Sequence, residues 1–122
     1  MATILVIDDE EMIRSLAERI LGRVSHSVMT AENGSSAISL FNKNHESIDI
    51  ALIDMTLYDM NGFEILTELR KSAPNLPAII SSGNCYNESD LPVELNRLIY
   101  FLQKPYKAHD LTDMVDSILT PV

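Results

Sequence analysis

Ile48, Ile50, Ala51, Leu52 and Ile53 make an apolar run of strand length that breaks off on Asp54. A run so dense in aliphatic side chains, and too short to cross a bilayer, fits a strand covered on both faces; a half-exposed strand alternates apolar with polar residues. Such a strand needs helices above and below it, and a carboxylate at its carboxyl end stands where open α/β sheets place their chemistry. The Asn61-Gly62 pair beyond it is a turn signal from which the chain reverses into a helix.

The rest of the chain repeats the pattern. Residues 3–7 are a β-branched and leucine run stopped by Asp8, Asp9, Glu10 and Glu11, through which no buried strand could continue. From Glu11, the positions Ile13, Leu16, Ala17, Ile20 and Leu21 recur at helical spacing, with acids at the positive end of the helix dipole and Gly22 near the close. Residues 27–30 read as a second strand, and Ala31, Glu32, Asn33 and Gly34 as a turn into a helix reaching Asn42, with Ala37, Ile38 and Phe41 inward. Phe63, Ile65, Leu66 and Leu69 stripe a third helix that starts near Asn61 and is closed by Ala73-Pro74.

Residues 77–82 form a fourth strand ending on Ser81, Ser82 and Gly83, and residues 98–102 a fifth, finishing at Gln103, Lys104 and Pro105. Between them the polar residues 87–90 can cap a short helix, whose first turn must hold Pro92 or be broken by it. Leu111, Met114, Val115, Ile118 and Leu119 stripe a last helix from Ala108. Strands alternating with helices in this way predict a doubly wound α/β fold, a parallel five-stranded sheet with five helices on its two faces. Right-handed crossovers bring every carboxyl end to one edge of the sheet, where Asp8, Asp9, Asp54, Ser82 and Lys104 meet.

Composition removes several function classes. The chain, 122 residues long, reads as one domain over 1–122, and 18 acidic against 9 basic residues give a net charge of -9, which opposes direct nucleic acid binding and anionic membrane surfaces. No apolar run approaches the roughly 20 residues of a membrane span, and the amino terminus lacks the basic flank of a secretory signal. A lone Cys85 and scattered His26, His45 and His109 rule out a disulfide framework and a zinc site and fit a reducing cytoplasm. Cys85 reads as a passive loop thiol, and Met12, Met29, Met55, Met60 and Met114 as core or rim filling.

Carboxylates gathered about 5 Å apart repel by several kcal/mol per pair at an effective dielectric of about 20. Proton sharing, a divalent cation or Lys104 can neutralise them, and Lys104 alone cannot balance three. An all-oxygen donor set suits Mg²⁺, with Mn²⁺ as a substitute, and leaves positions open for water and phosphate. Carboxylate, metal, ammonium and hydroxyl are the parts of phosphoryl transfer: Asp54 as nucleophile, Asp8 and Asp9 as metal holders, Lys104 and Ser82 directed at the phosphoryl oxygens. Taken singly, the acidic run is a helix cap, Ser82 a turn residue and Lys104 a surface lysine; their convergence on one edge reverses that judgement.

These residues resemble the receiver domains of two-component response regulators. The match lies in Asp8-Asp9 after the first strand, Asp54 ending the third with Gly62 eight positions on, Ser82-Gly83 after the fourth and Lys104-Pro105 after the fifth. The resemblance implies a phosphorylation-dependent signalling switch. Asp54 would accept a phosphoryl group from a phosphohistidine on a histidine kinase or phosphotransfer protein, and the domain would support only its own phosphotransfer and autodephosphorylation. It further implies that Asp9 binds Mg²⁺ directly, Asp8 mostly through water, and Thr56 through its backbone carbonyl. Ser82 and Phe101 would be the switch pair, Thr56 and Asn84 would tune the lifetime of the acyl phosphate, and the peptide before Pro105 would be cis. Ser82, rather than Ser81, takes the hydroxyl role by its spacing to Lys104 and by Gly83. Tyr58 departs from the family's usual proline four residues after the acceptor and leaves that loop without proline's restraint. Output would pass to a downstream effector or a missing output domain through the helix expected between the fourth and fifth strands, the fifth strand and the last helix.

Two other classes fit less well. An aspartyl phosphatase commonly has a second acid two residues after its nucleophile, where this chain has Thr56, and a flavodoxin-like nucleotide binder needs a phosphate-cradling loop where this chain has Asp8 and Asp9.

Overall fold

The computed structural model describes residues 2–83 and 97–120. Its elements run β1 (Thr3–Ile7), α1 (Glu11–Arg23), β2 (Ser27–Ala31), α2 (Gly34–Asn44), β3 (Ile50–Asp54), α3 (Gly62–Ser72), β4 (Ala78–Ser82), β5 (Ile99–Gln103) and α4 (Ala108–Leu119). The strands form one parallel sheet in the order β2-β1-β3-β4-β5. The order reverses between β1 and β3, the switch point at which doubly wound sheets open a crevice. The described residues hold four helices; the one expected between β4 and β5, with Asn84, Cys85 and Pro92, lies outside them.

Strand periodicity explains the two-sided core. Leu5, Ile7, Ala51, Ile53, Ala78 and Ile80 face Ala37 and Phe41 of α2 and Ile65, Leu66 and Leu69 of α3. The intervening residues Ile4, Val6, Ile50, Leu52 and Ile79 face Ala17, Ile20 and Leu21 of α1 and Leu111 and Val115 of α4. Every residue of β3 and β4 is buried, as strands sandwiched between helix layers must be.

Local chemistry sets the ends of the helices. Asn33 Oδ1 accepts from Ser36 N–H at 2.7 Å to start α2, while Asn61 and Glu64 exchange side-chain to backbone bonds at 2.9 Å to start α3. Gly22 is the penultimate residue of α1, near its close as expected, and the chain leaves the helix through Val24 and Ser25, whose φ is 70°. Met12, expected at the core or rim, is 83% exposed on the first turn of α1, off the stripe that Ala17, Ile20 and Leu21 bury.

Arg70 is the one cation whose side chain is buried among the described residues. It reaches from α3 to the carbonyls of Leu76, Arg97 and Leu98 at 2.8 to 3.2 Å, so backbone acceptors solvate its charge. Burial, and then the nearby Arg97, pull its pKa below the usual guanidinium value. The contact ties α3 to the entries of β4 and β5.

Candidate phosphoryl-transfer site

The site arises from strand parity. The pairing Ile7↔Ile53 brings the ends of β1 and β3 level, and Asp8 and Asp54 both continue the alternation of the α1/α4 face. Lys104 continues the same parity beyond Leu102, just past the end of β5 and two strands out from β3. Between them on β4 stands Ser81, the register partner of Asp54, small enough for a lysine to pass. Lys104 Nζ reaches Asp8 Oδ2 at 2.7 Å and Asp54 Oδ1 at 3.4 Å.

All three groups are withdrawn from water, Asp8 at 2% and Asp54 at 6% exposure. Burial raises the Asp54 pKa above 3.8; Lys104 opposes this, the charge of Asp8 adds to it, and the Thr56 N–H at 3.3 Å opposes it. Burial alone pulls the Lys104 ammonium down, but its bond to Asp8 and the charges of Asp8 and Asp54 outweigh that, and its pKa rises above 10.5.

Asp9 is exposed beside Asp8, and carboxylate oxygens of Asp8, Asp9 and Glu10 lie within 4.8 Å of one another. Glu10 was legible in the sequence only as one of a run of acids. Its own N–H donates to Asp8 Oδ1 at 2.9 Å, folding the turn so that the three side chains converge. Arg14, one turn into α1, donates to the Asp8 carbonyl at 2.7 Å. An arginine a turn after the acidic pair is the one sequence signal for this contact.

Ser82 ends β4, buried, and its carbonyl accepts from Lys104 N–H at 2.7 Å. Phe101 is half-buried and packs against the α2/α3 side of the core; it pairs in register with Ile80, so Ser82 and Phe101 share a sheet face by parity. Thr56 is exposed at the start of the loop and bridges to Asn61. The Lys104-Pro105 peptide is cis. Asn84 lies outside the described residues. Tyr106 escaped the sequence reading: its buried hydroxyl has no hydrogen-bond partner among the described residues, and burial, then the charges of Asp8 and Asp54, push its pKa up to about 12.

Gly62 closes the site from below. Its N–H donates to Met55 O at 2.8 Å, and a Cβ there would stand 3.1 Å from Met55 Cα and 3.3 Å from the Asp54 carbonyl. That close approach of α3 to the end of β3 is the physical reason for glycine eight residues after Asp54.

A parallel doubly wound sheet that gathers buried carboxylates and a bridging lysine at its switch point defines an α/β protein with a buried charge cluster at the carboxyl edge of its sheet. Comparison with known proteins makes this specific. The response regulator receiver domain family matches residues 4–116, and the chain belongs to that family. It is 31% identical over 119 residues to the sporulation initiation phosphotransferase F of Bacillus subtilis, covering 95% of this chain and 92% of that protein. It is 32% identical over 118 residues to the autoinducer 1 sensor kinase/phosphatase LuxN of Vibrio campbellii, covering 96% of this chain but 13% of that protein. Among solved structures, a response regulator receiver domain protein of Clostridium thermocellum superposes with a TM-score of 0.85 at 28% identity, covering 98% and 94% of the two chains. The response regulator TrrA of Thermotoga maritima, in complex with Mg²⁺-BeF, gives 0.84 at 27% identity over 98% and 100%. The fold is the flavodoxin-like receiver fold, and the domain is a phosphorylation-dependent signalling switch of two-component systems. No helix among the described residues is long and apolar enough to cross a membrane.

Proposed function

We propose that Asp54 is the phosphoryl acceptor and that Asp8, Asp9, Lys104 and Ser82 serve it. One observation carries the reading: Lys104 Nζ bridges Asp8 and Asp54 at 2.7 and 3.4 Å on the edge of the sheet. A single ammonium holds a buried pair of carboxylates beside the exposed Asp9 and Glu10, an excess of negative charge that a divalent cation would relieve. An oxygen-only donor set fits Mg²⁺, with Mn²⁺ as a substitute, and Asp8, Asp9, Asp54 and the Thr56 carbonyl would hold it. Bound there, the ion would supply charge neutralisation at the transferred group.

In the transfer, an Asp54 carboxylate oxygen attacks the phosphorus of a phosphohistidine. The O–P bond forms as the P–N bond breaks, and the imidazole nitrogen leaves with the electron pair. Lys104 exchanges its contact with Asp54 for one with a phosphoryl oxygen, as a mobile point charge can. Ser82 donates its hydroxyl to another oxygen, and Phe101, on the same sheet face, follows it inward as the switch. Thr56 and Asn84 flank the path of hydrolytic water and set the lifetime of the acyl phosphate. The donor is a histidine kinase or phosphotransfer protein, and the recipient of the signal is a downstream effector or an output domain of the same chain.

Incubation with Mg²⁺ and acetyl phosphate tests the reading. Wild type should acquire a base-labile phosphoryl label and Asp54→Asn none. An unlabelled wild type, under conditions that label a control receiver, refutes it.

A further inference from the structure

Residues 55–61, between β3 and α3, are held at both ends. At the base, Gly62 N–H donates to Met55 O at 2.8 Å and Thr56 bridges to Asn61. At the tip, three consecutive side chains turn toward the start of α2. Tyr58 Oη accepts from Asn33 Nδ2 at 3.2 Å, and the two Asp59 oxygens accept from the N–H groups of Gly34 and Ser35 at 2.9 and 3.0 Å. Met60 lies over Gly34 so closely that a Cβ there would come within 2.6 Å of its sulfur.

These contacts are unequal. Tyr58 is 79% exposed, and its single neutral bond competes with water. Asp59 makes two charge-assisted bonds to N–H groups that a helix start leaves unpaired, at the positive end of the dipole. The bond from Gly34 is the main reason its pKa falls below 3.8. Leu57 is buried and sets the depth of the loop; Asp59 sets the direction in which it leans. The same loop touches the site through Thr56, whose N–H donates to Asp54 Oδ1 at 3.3 Å.

We infer that Asp59 is a positioning residue for the phosphoryl site: by fastening the loop to α2 it keeps Thr56 in register with Asp54. The inference rests on the function proposed above, in which Thr56 also offers its carbonyl to the metal. The fastening does the work that a rigid residue at position 58 would do, across a separation of 25 residues in sequence.

Amide hydrogen exchange without metal and an NMR-followed Mg²⁺ titration, on the full chain as wild type, Asp59→Asn and Asp59→Ala, test it. Asp59→Ala should speed exchange at Gly34, Ser35 and Thr56 and weaken Mg²⁺ binding by about tenfold, as loss of an outer partner does. Asp59→Asn, which keeps one acceptor oxygen, should fall between, and core amides such as those of Leu5 and Ile53 should be unchanged. Acceleration confined to Gly34 and Ser35, with Thr56 and Mg²⁺ affinity as in wild type, overturns the inference and leaves Asp59 a helix cap. Uniform acceleration through the sheet overturns it as well. A wild type that binds no Mg²⁺ defeats the proposed function instead, and exchange at Thr56 then decides the inference alone.

Discussion

Asp54 is a charge held where the metal-free fold disfavours it. Its folded pKa lies above 3.8, chiefly through burial, so the stability linked to its proton is fully present below 3.8 and lost as pH rises through the folded value. Asp54→Asn should therefore be more stable than wild type at neutral pH without metal, and the advantage should shrink as pH falls and vanish below 3.8. Urea unfolding midpoints at neutral and acid pH check this; equal midpoints at neutral pH would show that Lys104 compensates the charge fully. The acidic residues and the lysine could be named from sequence because each interrupts or ends an apolar run. The Lys104 contacts could not, since which oxygens it meets depends on side-chain reach across β4.

At the scale of elements, the loop between β3 and α3 is fixed by its neighbours on both sides. Gly62 and Gly34 both mark close approaches, but they meet different atoms. A Cβ at Gly62 meets the backbone of Met55 and Asp54, whereas one at Gly34 meets side-chain atoms of Met60, its Sδ, Cγ and Cβ, the first two of which rotation of that side chain can move aside. Gly62→Ala should cost about 1–3 kcal/mol in chemical denaturation, as overpacking does, and Gly34→Ala clearly less. Equal losses would mean that the Met60 side chain is as immovable as backbone. The turn signals Asn33-Gly34 and Asn61-Gly62 located both helix starts, because caps are local chemistry. The Asp59 contact with α2 left no trace in sequence, because its partners are backbone N–H groups 25 and 24 residues away.

For the whole molecule, stability and metal binding are linked by mass action. Mg²⁺ at one hundred times its dissociation constant should stabilise the fold by about 2.7 kcal/mol, read as a rise in the urea midpoint. Asp9→Asn, exposed and outside the Lys104 contacts, should abolish that gain while leaving metal-free stability near wild type. A gain that survives the substitution would move the metal away from Asp9. The parallel sheet, its two helix layers and the edge on which Asp8, Asp9, Asp54, Ser82 and Lys104 stand were legible in the residue pattern alone. Burial patterns, caps and strand ends are properties of short stretches, and the crossover rule converts them into topology. Tertiary packing was needed to show that Lys104 bridges two carboxylates, that Glu10 joins the acidic turn, that Tyr106 is buried with a hydroxyl unpartnered among the described residues and that Asp59 fastens the β3–α3 loop to α2. Lys104 and Asp59 act on groups distant in sequence, and the other two depend on how a side chain is finally packed, which residue type and spacing do not specify.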